Sequence, residues 1–378
     1  MYYTVVKLGG SVLTGIADSA RILELLSGYP GPLVVVVSAL KGTTDRLIAV
    51  GRGAHAGNLA SVLYEKHLAF AVSFEPAPEA LRWACERLAA LRDELGRLLS
   101  GSWMPHDRFS RIASFGERLC ATCLTAAFSR LGRDAALLEP GELGLVARGP
   151  EEDAEAEMEA SAPRVRAAVR GHATAVVPGY YGVGEEGEVR LFGRGGSDYS
   201  AAVLAACLGA RSCELVKDSA GVLTADPALV SGARHVDQLS YREAAELATG
   251  GARIIHPRAV RPLEAAGIPL RVIGAGRLGR STLVGPRREG PPLGARAIAL
   301  GSGPRGTASL TIAGEGSAAG AAVAVLGAFR ERGLFPKAFS ARRGRASFRI
   351  LVEAASGPDA LRVAHEALFG AQAGNERS

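Results

Sequence analysis

Two kinds of hydrophobic pattern alternate along the chain. Short continuous apolar runs, "YTVVKL", "LVVVVSAL", "TAVVPGYYG" and "CELVKD", are typical of strands buried on both faces of a parallel sheet. Longer segments with helical periodicity lie between and beyond them, and they predict helices over 16–28, 58–73, 78–99, 113–131, 199–208 and 241–249. This alternation predicts an α/β fold with a mainly parallel central sheet.

The pattern changes after residues 274–296, which are dense in Gly, Pro and Arg and predict a linker. Strand-like "ASLTIAG", "KAFSA" and "SFRILVEA" then alternate with helical 317–332 and 358–368. This β-α-β-β-α order predicts a small α+β domain of ferredoxin-like kind. We expect two domains, 1–285 and 296–370. Because no clear fourth strand follows, an open sheet edge predicts a homodimer or higher homo-oligomer built partly through the tail.

Length and composition limit the class of protein. The 378 residues are 48% hydrophobic, which is enough for a sizeable core, yet no apolar run is long enough to span a membrane. The N-terminal "MYYTVVKLGG" lacks a secretory signal pattern, so we expect a cytoplasmic protein with no membrane partner. The net charge is +6, but its Arg residues are scattered without interleaved aromatics, which favours small anionic ligands over nucleic acid.

Cysteine usage gives no metal or disulfide framework. Cys120 and Cys123 form a single CxxC within the helical "ERLCATCLTAAF", and no second pair stands at zinc spacing. We expect buried helix cysteines here rather than a redox or metal site.

The first candidate site residues follow the first strand, in "VVKLGGSVL". Ligands of open α/β sheets bind at the carboxyl ends of the strands. The backbone N–H groups of Gly9 and Gly10, together with the charge of Lys7, would suit the phosphates of a nucleotide. An ordinary tight turn is the alternative interpretation.

Hydroxyl and carboxylate side chains occupy two further segments. "SALKGTTD" follows the second strand and offers Ser38 and Thr44, where helix capping is the alternative role. "SFGERLC" places Glu117 just inside a predicted helix. A glutamate there is either a favourable partner of the helix dipole or, in a cleft, an acceptor for a substrate ammonium.

The segment "FGRGGSDYSAA" concentrates Gly, Arg, Ser and Asp just before a helical stretch. Arg194 stands between Gly193 and Gly195 and can hold a carboxylate through two parallel hydrogen bonds. Ser197 or Asp198 is expected to cap the helix from 199. A turn and a cap alone would not explain an arginine between glycines.

Together these segments resemble the amino-acid kinase family, most closely its aspartate kinase branch. The resemblance runs from Val5 to about Val284 and rests on "FGRGGSDYSAA", "DSAGVLTADP", "YREAAELATGGA" and "HPRAV". The tail resembles a single ACT-like module. The resemblance implies an amino-acid-kinase-like sandwich plus a small ACT-like regulatory domain. It also implies transfer of the γ-phosphoryl group of ATP, with Mg²⁺, to the β-carboxylate of L-aspartate, the first step towards lysine, threonine and methionine.

The resemblance also implies a role for each candidate residue. Catalysis would fall to Lys7, oriented by Asp198, and no metal site on the protein itself is implied because Mg²⁺ arrives with ATP. The implied aspartate-binding residues are Ser38, Thr44, Glu117, Arg194 and Ser197. The implied ATP-binding residues are Lys7, Gly9, Gly10, Ser11, Lys217, Asp218, Asp226 and Arg253. The chain departs from the family at Lys217, where Thr is usual, and at Arg253, where Lys is usual.

Two other functions stay open. Another small-carboxylate kinase of the same superfamily is one, although Arg194 and Glu117 together would suit an amino acid. A non-catalytic subunit that binds an amino acid through the tail is the other, although Lys7 and Asp198 are both present.

Overall fold

A computed structural model describes residues 2–218, 221–252, 255–275, 280–286, 294–314, 318–341 and 345–370. By its internal contacts the chain divides into two units. The first comprises Met1–Asp218 and Ile273–Leu278, and the second comprises Ser219–Val272 and Gly279–Ser378. The division into a catalytic domain over 1–285 and an ACT-like regulatory domain over 296–370 stays a prediction.

The first unit is an α/β structure, as the alternating pattern predicted. Its strands are β1 (Thr4–Leu8), β2 (Leu33–Val37), β3 (Ala136–Leu137), β4 (Ala147–Arg148), β5 (Glu155–Ala156), β6 (Thr174–Pro178), β7 (Tyr181–Val183), β8 (Val189–Leu191) and β9 (Ser212–Lys217). Its α-helices are α1 (Ser19–Ser27), α2 (Thr43–Gly51), α3 (Leu59–Val72), α4 (Pro78–Ser100), α5 (Arg108–Ala127), α6 (Pro140–Leu143), α7 (Met158–Val169) and α8 (Gly196–Leu208).

The main sheet of this unit is entirely parallel. Five strands lie in the order β9-β1-β2-β6-β3, and every neighbouring pair is parallel. All five residues of β2 are fully buried, which explains the unbroken valine run, because helices cover both faces of such a sheet. The carboxyl ends of β9, β1 and β2 therefore meet at one edge, where ligands of open α/β sheets bind.

Two helices carry candidate residues to this unit's core. Sixteen of the twenty residues of α5 are buried, including both cysteines of the CxxC, so the prediction of buried helix cysteines is confirmed. Burial raises the pKa of both the Cys120 and the Cys123 thiol, which keeps them protonated. Helix α8 is buried along most of its length, which agrees with its Ala-rich and Leu-rich sequence.

Two of the predicted helix starts are wrong. Helix α5 begins at Arg108 rather than 113, so Glu117 lies well inside the helix and cannot be a partner for the dipole of its first turn. Helix α8 begins at Gly196 rather than 199, because Gly195 adopts a left-handed backbone (φ 69°) and serves as the N-cap. Neither Ser197 nor Asp198 caps it, since both lie in its first turn.

The second unit holds the remaining strands and helices of the described residues. Its strands are β10 (Gln238–Ser240), β11 (Leu270–Gly274, which enters the first unit at Ile273), β12 (Ser281–Gly285), β13 (Ala297–Ser302), β14 (Thr307–Ala313), β15 (Ala338–Ala341) and β16 (Ser347–Glu353). Its α-helices are α9 (Tyr241–Thr249), α10 (Pro257–Ala266), α11 (Ala318–Glu331) and α12 (Gly357–Phe369). Among the helices of the described residues, none has the length and apolar character to cross a membrane.

The tail forms a four-stranded antiparallel sheet in the order β13-β14-β16-β15. The expectation that a fourth strand is missing is therefore wrong. Strand β13 precedes the rest of the module and pairs with β14 from Ala297 to Ser302. Its sequence "AIALGS" ends in Gly-Ser beside a Gly-rich and Pro-rich segment, so its strand signal is weak. Strand β13 therefore covers the edge of β14 that the oligomer prediction took to be open.

Candidate active site

Two lysines share one buried aspartate at the carboxyl ends of adjacent strands. Lys7 Nζ lies 2.6 Å from Asp198 Oδ1, and Lys217 Nζ lies 2.9 Å from Asp198 Oδ2. Lys7 belongs to β1 and Lys217 ends β9, while Asp198 reaches them from the first turn of α8. The structure thus brings together three residues that the sequence placed far apart.

The ionisation of this cluster follows from its burial and its charges. Burial alone would raise the pKa of the Asp198 carboxyl, but the ammonium charges of Lys7 and Lys217 outweigh burial and lower that pKa to about 2. Burial lowers the pKa of Lys7, and the charge of Lys217 acts in the same direction while Asp198 opposes both. Asp198 is therefore an anion at neutral pH, held between two cations.

Glycines in the turn after β1 avoid a side chain that would crowd the lysine. A Cβ on Gly9 would lie 3.1 Å from Lys7 Nζ, and one on Gly10 would lie 3.4 Å from the Ala39 carbonyl oxygen. Ser11 follows in the same turn and is exposed. Asp218, which follows β9, is also exposed. Glycine at positions 9 and 10 suits the close approach of an anionic ligand to the backbone.

Glu117 is a buried carboxyl group with an unsatisfied oxygen. It is 3% exposed, and its Oε2 has no hydrogen-bond partner. Burial raises the pKa of Glu117 to about 8, although hydrogen bonds from the Ala39 backbone and the Thr44 hydroxyl and the charge of Lys7 all oppose this shift. A cation placed against Oε2 would restore the ionised form and satisfy the orphaned oxygen.

Gly116 allows α5 to bring Glu117 to this position. A Cβ at residue 116 would lie 2.5 Å from the Ala39 Cβ and 3.3 Å from Thr43 Cγ2, well inside contact distance. Only a glycine lets α5 pack this closely against the segment that joins β2 to α2.

Replacing Gly116 with alanine should therefore shift α5 and disturb the position of Glu117. Overpacking of this kind lowers the free energy of unfolding by about 1–3 kcal/mol, and the shift of α5 should raise the KM for the substrate that Glu117 contacts. Gly96→Ala is the matched control, because a Cβ at Gly96 on α4 meets nothing within 4 Å. Equal melting temperatures and equal KM values for the two variants would contradict this account.

The hydroxyls near β2 do not cap α2. The N-cap of α2 is Gly42 in a left-handed conformation, with no side-chain cap, so the capping interpretation of this segment is wrong. Ser38 directly follows β2 and its backbone N–H donates to the Leu8 carbonyl, which places it beside the end of β1. Thr44 contacts Glu117 instead.

Arg194 lies four residues before Asp198, at the N-terminal end of α8. The flanking Gly193 and Gly195 both have left-handed backbones, with φ of 67° and 69°. Its side chain is exposed and forms no ion pair with any described residue. Ser197, in contrast, is buried against the position of Gly179, where a Cβ would lie 2.9 Å from the Ser197 Cβ.

Tyr180 is a candidate site residue that the sequence analysis missed. It has a left-handed backbone with φ 79°, which is strained for a residue with a side chain and is enriched at functional sites. Burial raises the pKa of its hydroxyl, and the negative charge of Glu117 acts in the same direction. The "PGYYG" segment at the end of β6 was the available signal, since its glycines and proline mark an irregular turn.

Two further predicted ATP-binding residues, Asp226 and Arg253, stay predictions. Asp226 belongs to the second unit and its Oδ1 accepts a hydrogen bond from the Ala228 N–H, which stabilises a turn. Arg253 lies outside the described residues. Within the described ranges, no three His, Cys, Asp or Glu side chains converge in a way that could hold a metal ion.

Comparison with known proteins gives a family and a set of relatives. The model of the amino acid kinase family matches residues 3–274. Aspartokinase 3, chloroplastic, from Arabidopsis thaliana is 32% identical over 285 residues, which cover 71% of this chain and 50% of the relative. Lysine-sensitive aspartokinase 3 from Escherichia coli is 30% identical over 311 residues, which cover 78% of this chain and 66% of the relative. The chain spans about half the length of the first of these relatives.

A solved structure shares the fold. Aspartokinase III of E. coli, in complex with aspartate and ADP, matches with a TM-score of 0.83 over 97% of this chain and 100% of that one. The sequences are 20% identical in this alignment. The fold is thus the α/β fold with a mainly parallel central sheet that the sequence predicted.

Proposed function

Because the chain belongs to the amino acid kinase family, we propose that it transfers the γ-phosphoryl group of MgATP to the β-carboxylate of L-aspartate, which makes it an aspartate kinase. One observation carries the choice of acceptor: the buried Glu117 carboxyl group has an unsatisfied oxygen and interacts with the charge of Lys7. An amino-acid ammonium satisfies that oxygen. The curated relatives are named aspartokinases, which supports the same substrate.

The proposed chemistry needs no general base. A side-chain carboxyl group is already ionised at neutral pH, so the β-carboxylate oxygen can attack directly. That oxygen forms a bond to the γ-phosphorus, the bond from the phosphorus to the β,γ-bridging oxygen breaks, and ADP leaves. Catalysis then depends on alignment and on neutralising the charge of the moving phosphoryl group.

The chain's residues divide the work in this proposal. Lys7 contacts the moving phosphoryl group, and Asp198 orients its ammonium. The aspartate-binding residues are Glu117 for the ammonium, Arg194 for the α-carboxylate, and the hydroxyls of Ser38, Thr44 and Ser197. The nucleotide-binding residues are Gly9, Gly10, Ser11, Lys217, Asp218, Asp226 and Arg253, with Mg²⁺ bound as part of the MgATP substrate.

Arg194→Lys should weaken aspartate binding. The exposed guanidinium is free to form two parallel hydrogen bonds with a carboxylate, and an ammonium cannot reproduce that geometry. The loss of about 2 kcal/mol corresponds to a roughly thirtyfold higher KM for aspartate, with the KM for ATP little changed. Steady-state kinetics beside the exposed Arg211→Lys control measures this. A KM for aspartate equal to that of the control would argue against the clamp.

A substrate panel tests the function itself. ADP release should be measured with MgATP and, separately, L-aspartate, D-aspartate, L-glutamate and N-acetyl-L-glutamate. We expect release above background with L-aspartate alone. Release with a different acid would point to another small-carboxylate kinase, and no release with any acid would support a non-catalytic subunit.

Location, assembly and pathway are also proposed. A cytoplasmic location is supported by the five free cysteines, the form expected in a reducing compartment. A homodimer or higher homo-oligomer is supported by β15, an edge strand whose four residues are all exposed. The product, 4-phospho-L-aspartate, would enter the route to lysine, threonine and methionine.

A further inference from the structure

Lys217 occupies a position from which it can act on the same atoms as Lys7. In the parallel register Lys7 stands opposite Leu215, and Leu8 stands opposite Val216. Side chains two residues apart on a strand point to the same face, so Lys217 projects to the face that Lys7 uses, two residues closer to the Gly9-Gly10 turn. Both ammonium groups then converge on one carboxylate of α8.

The charge of this cluster is unbalanced. Two ammonium groups and one carboxylate leave a net charge of +1 where the side chains of Lys7, Asp198 and Lys217 are only 7%, 7% and 16% exposed. Excess charge in a buried place is costly unless a ligand of opposite charge offsets it. The cluster is therefore suited to an anion that arrives at the open end of the strands.

The hydrogen-bonding capacity of Lys217 is also only partly used. An ammonium carries three donors, and Asp198 is the one partner of Lys217 Nζ among the described residues. Lys217 is the most exposed of the three side chains, so its remaining donors are the most accessible of the cluster.

We propose that Lys217 is a second catalytic residue, whose ammonium contacts the phosphoryl group during transfer while Asp198 holds it parallel to Lys7. This inference rests on the proposed phosphoryl-transfer function. Besides binding the nucleotide, Lys217 would make a contact with the phosphoryl group that becomes stronger in the transition state. Asp198 is then the positioning residue for two cations, and each cation neutralises part of the charge that develops on the phosphoryl oxygens.

Lys217→Met tests the proposal, with Lys337→Met as matched control, because Lys337 also pairs with a carboxylate (Glu353, 2.5 Å) but on the exposed surface of the second unit. Calorimetry should compare the binding of MgADP with that of MgADP plus tetrafluoroaluminate, a mimic of the moving phosphoryl group. We expect Lys217→Met to lose at least about tenfold more affinity for the fluoroaluminate complex than for MgADP, and kcat to fall by about 10²-fold. The control should change neither.

Lys217→Arg keeps a cation against Asp198 and covers the case in which the methionine variant does not fold. Since a planar guanidinium is a poor substitute for a point charge, we expect it to retain MgADP affinity and lose part of the fluoroaluminate preference. The proposal is overturned if both variants keep the wild-type preference, if they lose both ligands equally, or if the wild type shows no preference. These titrations contain no aspartate, so they test the proposal even if the substrate panel identifies another acceptor.

Discussion

Lys7→Ala should lower kcat by about 10²–10³-fold with a small effect on the KM for aspartate. The ammonium lies at the end of β1 beside a glycine turn, and its charge matters most when charge builds on the moving phosphoryl group. Removal of one such electrostatic contact typically costs about 3–4 kcal/mol of transition-state stabilisation. Steady-state kinetics with MgATP and aspartate measures the effect.

The fold should survive this substitution. Asp198 would keep Lys217 as a partner at 2.9 Å, so no buried anion is left alone. Lys337→Ala, on the exposed surface of the second unit, should behave as wild type. If Lys7→Ala kept kcat and raised only the KM for ATP, Lys7 would be a ground-state nucleotide contact and its catalytic assignment would be wrong.

Glu117→Gln should raise the KM for aspartate by about a hundredfold when measured at pH 9. At that pH the buried carboxyl is ionised, since its pKa is about 8, and loss of a buried partner for the substrate ammonium costs about 3 kcal/mol. Wild-type kcat/KM for aspartate should rise with pH up to about 8, because only the ionised form can hold the ammonium. The variant should lack this limb.

The same substitution should stabilise the protein at high pH. The pKa of Glu117 is raised from 4.5 to about 8 on folding. Between these two pH values the native state therefore binds more protons than the unfolded state. Wild-type stability contributed by this group is therefore full below about pH 4.5 and is lost as the pH rises through 8. Glutamine removes that loss, and we expect its melting temperature to exceed that of wild type by on the order of a few degrees at pH 8.

Glu24→Gln, an exposed change on α1, is the control for both measurements. A pH-independent difference in melting temperature between Glu117→Gln and wild type would show that Glu117 does not titrate in this range. An unchanged KM for aspartate at pH 9 would remove Glu117 from the substrate site.

The sequence was sufficient to predict the strands that form the site and the edge of the sheet at which the site lies. Continuous apolar runs mark a sheet buried on both faces, and the polar residues that follow such runs must lie at its carboxyl edge. Lys7, Gly9 and Ser38 could be placed in this way. Helix α9 was predicted over the residues that the structure gives it, because its Ser240 and Glu243 form a capping box at a clear start.

Features that depend on tertiary packing could not be predicted. The contact of Lys217 with Asp198 depends on where α8 packs over β9, which no local pattern encodes. The early start of α8 depends on a left-handed glycine that replaces a side-chain cap. Strand β13 has little strand signal of its own and is fixed by its pairing with β14. In each case long-range packing outweighed local preference.

The trapping of an acyl phosphate tests the central claim most directly. Wild-type protein should be incubated with MgATP, L-aspartate and hydroxylamine, and the product identified by mass spectrometry against synthetic α- and β-hydroxamates of aspartate. The account predicts ATP-dependent formation of the β-hydroxamate. The yield should be reduced in Lys7→Ala and equal to that of wild type in the control Lys337→Ala. Formation of no hydroxamate, of the α-isomer, or of a hydroxamate from another acid alone would contradict the account.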